Sequence, residues 1–274
     1  MLPADRERMF PPPMSPNRAE LIPILVFPDS AAASKVVAAD IGALIRAKQG
    51  VNKTCVLGLT TGTTPQELYA ELVRMHREEG LSFANVVTFN VDEYFPMLPN
   101  NPRSYRTFMQ AHLFNHVDIQ PANTHLPDSA VPISSVEACC QEYEKEIRTA
   151  GGIDLQILGI GRTGHIGFNE PGSQRCSRTR KMPPDPLTRE DLSKEFGGDE
   201  HVPRYAITMG VSTILDARRI VLMAWGQRKA EIVRAAAEGP VTSQVTASFL
   251  QEHGQTQFVI DSEAAGKLTR FESK

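Results

Sequence analysis

Long apolar runs are scarce in this chain of 274 residues. The longest, Leu21 to Phe27, contains Pro23 and falls far short of the roughly 20 residues a membrane-spanning helix needs, so no membrane partner is expected. An excess of charge of one sign is also missing. Lys plus Arg number 29 against 32 Asp plus Glu, which leaves no bulk positive field to hold nucleic acid. Cysteine is limited to Cys55, Cys139, Cys140 and Cys176, with no C-x-x-C spacing, so neither a zinc site nor a disulfide-stapled secreted scaffold is indicated. A reducing cytoplasm suits that usage, and the charged MLPADRERMF start stands where a secretory signal would be apolar. No Ser/Gly/Pro linker divides the chain. The expected organisation is an extended, proline-rich arm over residues 1–20, carrying Pro11, Pro12, Pro13 and Pro16, followed by one domain over residues 21–274.

What the sequence does contain is a strand-then-helix rhythm. Short apolar runs at Leu21 to Phe27, Thr54 to Leu59, Val86 to Asn90, Ile153 to Leu158, Arg219 to Ala224 and Gln257 to Ile260 alternate with helical periodicity at Ser30 to Lys48, Leu68 to Met75, Pro102 to Leu113, Val136 to Ile147 and Lys229 to Ala237. This pattern predicts an α/β fold: one domain with a mostly parallel, doubly wound (Rossmann-like) sheet and helices on both faces. Capping boxes are predicted at Thr64 with Glu67 and at Ser134 with Glu137. Residues 181–203, polar and rich in proline, have too few apolar positions for core and are expected to form a mobile flap over the site.

Chemistry concentrates at strand ends. The run IDLQILGIGRTGHIGFNEP, from Ile153 to Pro171, passes from an apolar strand into a glycine-rich loop carrying His165, Asn169 and Glu170. Val86 to Tyr94 repeats the plan and delivers Asn90, Asp92, Glu93 and Tyr94. In open parallel sheets, ligands bind beyond the carboxyl ends of the strands, so both loops are site candidates. A third strand empties into Thr60-Thr61-Gly62-Thr63-Thr64-Pro65 at a helix start, where free N–H groups suit an anion. It lacks the Gly-Lys-Ser/Thr ending of a Walker loop, and nucleotide binding is not implied.

Three motifs, LGLTTGTTP at Leu57 to Pro65, FNVDEY at Phe89 to Tyr94 and GIGRTGHIGFNEP at Gly159 to Pro171, occur in this order, and with them the chain resembles the glucosamine-6-phosphate deaminase (isomerase) family from about Leu21 onward. The resemblance implies conversion of glucosamine 6-phosphate and water to fructose 6-phosphate and ammonia, without metal or organic cofactor, by a cytoplasmic homo-oligomer. Carried onto matching positions, it makes Asp92 the base that moves the C2 proton to C1 and His165 the ring-opening group. Glu170 becomes the carboxylate that orients the histidine. Thr61, Gly62, Thr63, Thr64 and Lys229 are implied in substrate and phosphate binding.

The match also departs from the family. Thr163 stands where an aspartate of the catalytic cluster is common, and Lys194 stands where a flap arginine binds phosphate. Some members are hexamers switched by N-acetylglucosamine 6-phosphate; Ser173 and Arg180 match that site, but its lysine position reads Met182, followed by Pro183 and Pro184. Two alternatives follow: a 6-phosphogluconolactonase-like enzyme or other sugar-phosphate isomerase on a related fold, or a non-catalytic sugar-phosphate sensor.

Overall fold

The computed structural model describes residues 22–271, and the expected arm over residues 1–20 lies outside them. In chain order the elements are β1 (Ile24–Phe27), α1 (Ser30–Gly50), β2 (Cys55–Leu59), α2 (Gln66–Glu79), β3 (Val86–Asn90), β4 (Asp92–Phe95), α3 (Tyr105–His112), β5 (Thr124–His125), α4 (Val136–Thr149) and β6 (Leu155–Leu158). They continue with β7 (Arg180–Met182), α5 (Pro186–Phe196), β8 (Tyr205–Thr208), α6 (Val211–Leu215), β9 (Ile220–Ala224), α7 (Ala230–Glu238) and β10 (Thr256–Asp261).

Seven strands form one parallel sheet in the order β1-β10-β9-β6-β2-β3-β5. Side chains alternate across it. Val56 packs into the apolar cluster shared with Tyr143, Ile147 and Val233, whereas Leu57 and Leu59 pack into the cluster shared with Ile41, Leu68 and Met109. Helices α4 and α7 therefore cover one face and α1, α2 and α3 the other, which is the predicted single α/β domain. After β2 the chain progresses outward through β3 and β5, then returns to β6 on the other side of β2. The loops leaving β2 and β6 thus diverge, opening a crevice at the topological switch point.

A second sheet was not predicted. Strands β4, β8 and β7 pair antiparallel, with Asp92 opposite Thr208 and Arg180 also opposite Thr208. The segment read as a mobile flap is folded on this sheet, because Leu192, Phe196 and Val202 bury against Tyr94, Met97, Phe168 and Ala206. Three well-spaced apolar side chains fix it, despite its polar composition.

Neither predicted capping box forms. Helix α2 begins after Pro65 with no side-chain cap. Thr64 instead borders the crevice, and its carbonyl accepts a hydrogen bond from Trp225 Nε1 at 2.9 Å. Helix α4 is entered through a 3₁₀ turn over Ile133–Ser135, whose helical backbone denies Ser134 the extended geometry of an N-cap. Side chains do cap α3: Ser104 Oγ accepts from Thr107 N at 3.0 Å, and the Glu93 carboxylate accepts from Tyr105 N and Arg106 N at 2.9 Å each.

Candidate active site

The crevice is a cavity of about 230 Å³ walled by Thr60–Thr64 after β2, Asp92 at the start of β4, the loop carrying Gly159, Gly161 and His165 after β6, the lid helix α5, and Lys229. Asp92 is 4% exposed. Burial, with the neighbouring charge of Glu93 adding, pushes its pKa up to about 8. Glu93 is itself raised by burial, although three backbone N–H groups oppose the shift. One acid thus caps α3 while the adjacent one, on the opposite side of the strand, faces the cavity.

At the second strand end His165 Nδ1 lies 2.9 Å from Glu170 Oε2. Thr163 Oγ1 donates to the same carboxylate oxygen at 3.0 Å and stands 2.9 Å from Nδ1, with Thr188 Oγ1 at 3.4 Å. An Nδ1–H shared between Glu170 and the Thr163 oxygen satisfies this geometry and leaves Nε2 as the ring nitrogen available to a ligand. Burial drives the Glu170 pKa upward, but the hydrogen bond and charge of His165, together with Thr188, outweigh it and hold the group below the ordinary range. Gly161 makes room for the ring, since a Cβ there would lie 2.1 Å from His165 Nε2.

Another wall of the cavity suits an anion. Helix α2 presents its uncapped N-terminus behind Gly62, whose φ of +91° favours glycine, and Lys229 Nζ reaches in while donating to Ile160 O at 2.6 Å. Burial lowers the lysine pKa, with Asp191 opposing.

A family model described as glucosamine-6-phosphate isomerases/6-phosphogluconolactonase matches residues 28–259. The chain belongs to this family. It is 50% identical over 214 residues to a glucosamine-6-phosphate deaminase of Hahella chejuensis, covering 78% of this chain and 80% of that one. It is 42% identical over 256 residues to a putative glucosamine-6-phosphate deaminase-like protein of Bacteroides thetaiotaomicron, covering 93% of this chain but spanning only 39% of that relative. A solved monomeric glucosamine-6-phosphate deaminase superposes with a TM-score of 0.85 at 37% identity, covering 90% of this chain and all of that one.

Within this family fold the cavity gathers Asp92, His165, Thr61, Gly62, Thr63, Thr64 and Lys229, with Glu170 and Thr163 directly behind the imidazole. Lys194 is not brought in. Helix α5 turns Thr188, Leu192 and Glu195 toward the cavity, so Lys194 falls outside, 67% exposed and 3.3 Å from Glu190. Ser173 and Arg180 also lie off the cavity but meet each other: Arg180 Nη2 donates to Ser173 Oγ at 2.8 Å and Nη1 to Asn169 Oδ1 at 2.9 Å. Four contributors escaped the sequence reading, namely Tyr105, Thr188 and Glu195 in the cavity wall and Arg162 as a clasp. Arg162 Nη2 donates to Leu187 O at 3.0 Å and to Glu190 Oε2 at 3.2 Å, tying the histidine loop to the lid. The i, i+4, i+7 spacing of Thr188, Leu192 and Glu195 was the only available signal for the lid residues, and it marks a shared face without saying what the face meets. Among the described residues no group of three His, Cys, Asp or Glu could hold a metal ion.

Proposed function

We propose that this protein deaminates and isomerises glucosamine 6-phosphate to fructose 6-phosphate and ammonia. The observation that carries the reading is a buried carboxylate, Asp92, sharing one small cavity with a carboxylate-oriented imidazole, an uncapped helix N-terminus and a lysine. The phosphate sits against Thr61–Thr64 and Lys229, which fixes the sugar by the group that does not react. His165 Nε2 takes the anomeric hydroxyl proton and returns one to the ring oxygen, opening the pyranose; Glu170 and Thr163 hold the tautomer that makes this possible. Asp92 then removes the C2 proton and delivers it to C1. Water adds at C2, and the C–N bond breaks to leave the ketose and ammonia. A carboxyl near pKa 8 is a far stronger base than a solvated one, and the positive charge of a bound amino sugar favours its ionised form.

Ammonia and fructose 6-phosphate appearing together from glucosamine 6-phosphate is the expected result. Hydrolysis of 6-phosphogluconolactone without ammonia release from the amino sugar would replace this reading with the other activity in the family's description. The intact Asp92, His165 and Glu170 set argues against a mere sensor.

A cytoplasmic location goes with this activity, supported by four unpaired cysteines; among the described residues no helix is long and apolar enough to cross a membrane. The resemblance implies a homo-oligomer, whereas one solved relative is described as monomeric. Light scattering decides between them. For control by a second sugar phosphate, the support is the preformed Ser173–Arg180 contact, and Met182 counts against it.

A further inference from the structure

The acids of the lid helix have different environments. Glu190 and Asp191 lie on its outer side, where Arg162 reaches them at 3.2 and 3.4 Å and Lys194 at 3.3 and 3.8 Å. Glu195 is one turn on and lines the cavity with Thr188 and Leu192 while remaining exposed to solvent. Among the described residues no cation and no hydrogen-bond donor answers its carboxylate. Partial burial, then the charge of Asp191, raise its pKa above the ordinary range.

Its position along the cavity is informative. The next residue, Phe196, packs edge-on against Tyr94 with ring centroids 5.1 Å apart, and Tyr94, two residues along β4 from Asp92, lies tilted against Tyr105 of the cavity wall at 4.4 Å. Lys229, by contrast, is held at 2.6 Å to Ile160 O of the histidine loop, beside the start of α2 and close to Arg162, which ties that loop to Leu187 at the start of α5. The cavity is therefore bipolar, with cation and helix N-terminus at one end and two carboxylates at the other. A ligand matching both ends carries an anion and, several bonds away, a cation.

We propose that Glu195 reads the amine of the substrate, its carboxylate accepting hydrogen bonds from the C2 ammonium of an amino-hexose phosphate whose phosphate lies against Lys229 and the start of α2. This rests on the proposed function and adds a specificity-determining residue to it. A sugar phosphate with a hydroxyl at C2 leaves Glu195 partly desolvated and without a counter-charge, and an acetylated amine has no charge to offer it. The lid helix thus selects the amino sugar while it covers it.

The test uses two unreactive open-chain probes, 2-amino-2-deoxyglucitol 6-phosphate and glucitol 6-phosphate, as competitive ligands of the wild type and of Glu195→Gln. Glutamine keeps the shape and removes the charge at a surface-reaching position, so folding is spared. The wild type is expected to prefer the amine-bearing probe by about tenfold or more, as one charge-assisted hydrogen bond provides. Glu195→Gln is expected to lose that preference by weakening the amine-bearing probe alone. An undiminished preference in the variant overturns the proposal, and so does an equal loss for both probes. Ammonia release by the wild type is measured alongside: its absence sinks the proposed function, whereas its presence with an unchanged preference in Glu195→Gln sinks only the assignment of Glu195.

Discussion

Replacing Asp92 with Asn removes a charge that the fold buries at a cost, and the cost has a pH signature. The folded-state pKa of about 8 lies above the ordinary 3.8. Below pH 3.8 both the folded and unfolded chains hold the proton; between that value and about 8 only the folded chain keeps it, so stability falls as pH rises across this window. At roughly 1.4 kcal/mol per pH unit, the interval sets a ceiling of about 5–6 kcal/mol on the penalty carried by the wild type above pH 8. Asn is nearly isosteric with the protonated acid and carries no such penalty. The Tm of Asp92→Asn should thus match that of the wild type near pH 4 and exceed it by on the order of 10 °C near pH 9, at about 2–4 °C per kcal/mol for a domain of this size. Activity should move the opposite way, falling by about 10²–10⁴ as expected for a lost general base. Calorimetry of both proteins from pH 4 to 9 provides the check. A Tm difference that does not change with pH would refute the buried, proton-holding state assigned to Asp92, and full activity in the variant would remove it from the reaction.

Other outcomes follow from the same geometry. Lys229→Ala should weaken fructose 6-phosphate binding by roughly tenfold to a hundredfold, about 1.5–3 kcal/mol for a charge-assisted contact, as read by calorimetric titration; unchanged affinity would point the lysine elsewhere. In Gly161→Ala the new Cβ would stand 2.1 Å from His165 Nε2, so the imidazole must shift, and kcat should fall by about a hundredfold for a displacement near 1 Å while the Tm stays close to that of the wild type. Phe196→Ala removes an anchor of the lid that is 5% exposed, and residues 183–203 should then be cut faster by protease than in the wild type; equal cutting rates would mean that this packing does not hold the lid.

Local rules in the sequence determined the β-then-α order, the parallel sheet, and the strand ends that carry Asp92 and His165. An apolar run of one strand's length followed by Gly and polar groups has the same meaning wherever it occurs, because a buried parallel strand needs apolar side chains on both faces and its exit loop must bend sharply. The contact of Thr163 and Glu170 with His165 was also within reach, since all three lie in one short loop. Other features depended on partners distant in sequence. Whether Glu93 faced the cavity or capped α3 was decided by helix N–H groups 12 and 13 residues on. That residues 186–196 pack as a helix on the second sheet depended on Tyr94, Met97 and Phe168, which offer Leu192 and Phe196 an apolar surface. The rotation of α5 on that surface put Glu195 on the cavity wall and left Lys194 off it, although the two are exposed neighbours in the chain. Composition names the groups that can do chemistry, but which of two adjacent side chains borders the cavity is set by how its helix packs, and only the tertiary structure fixes that.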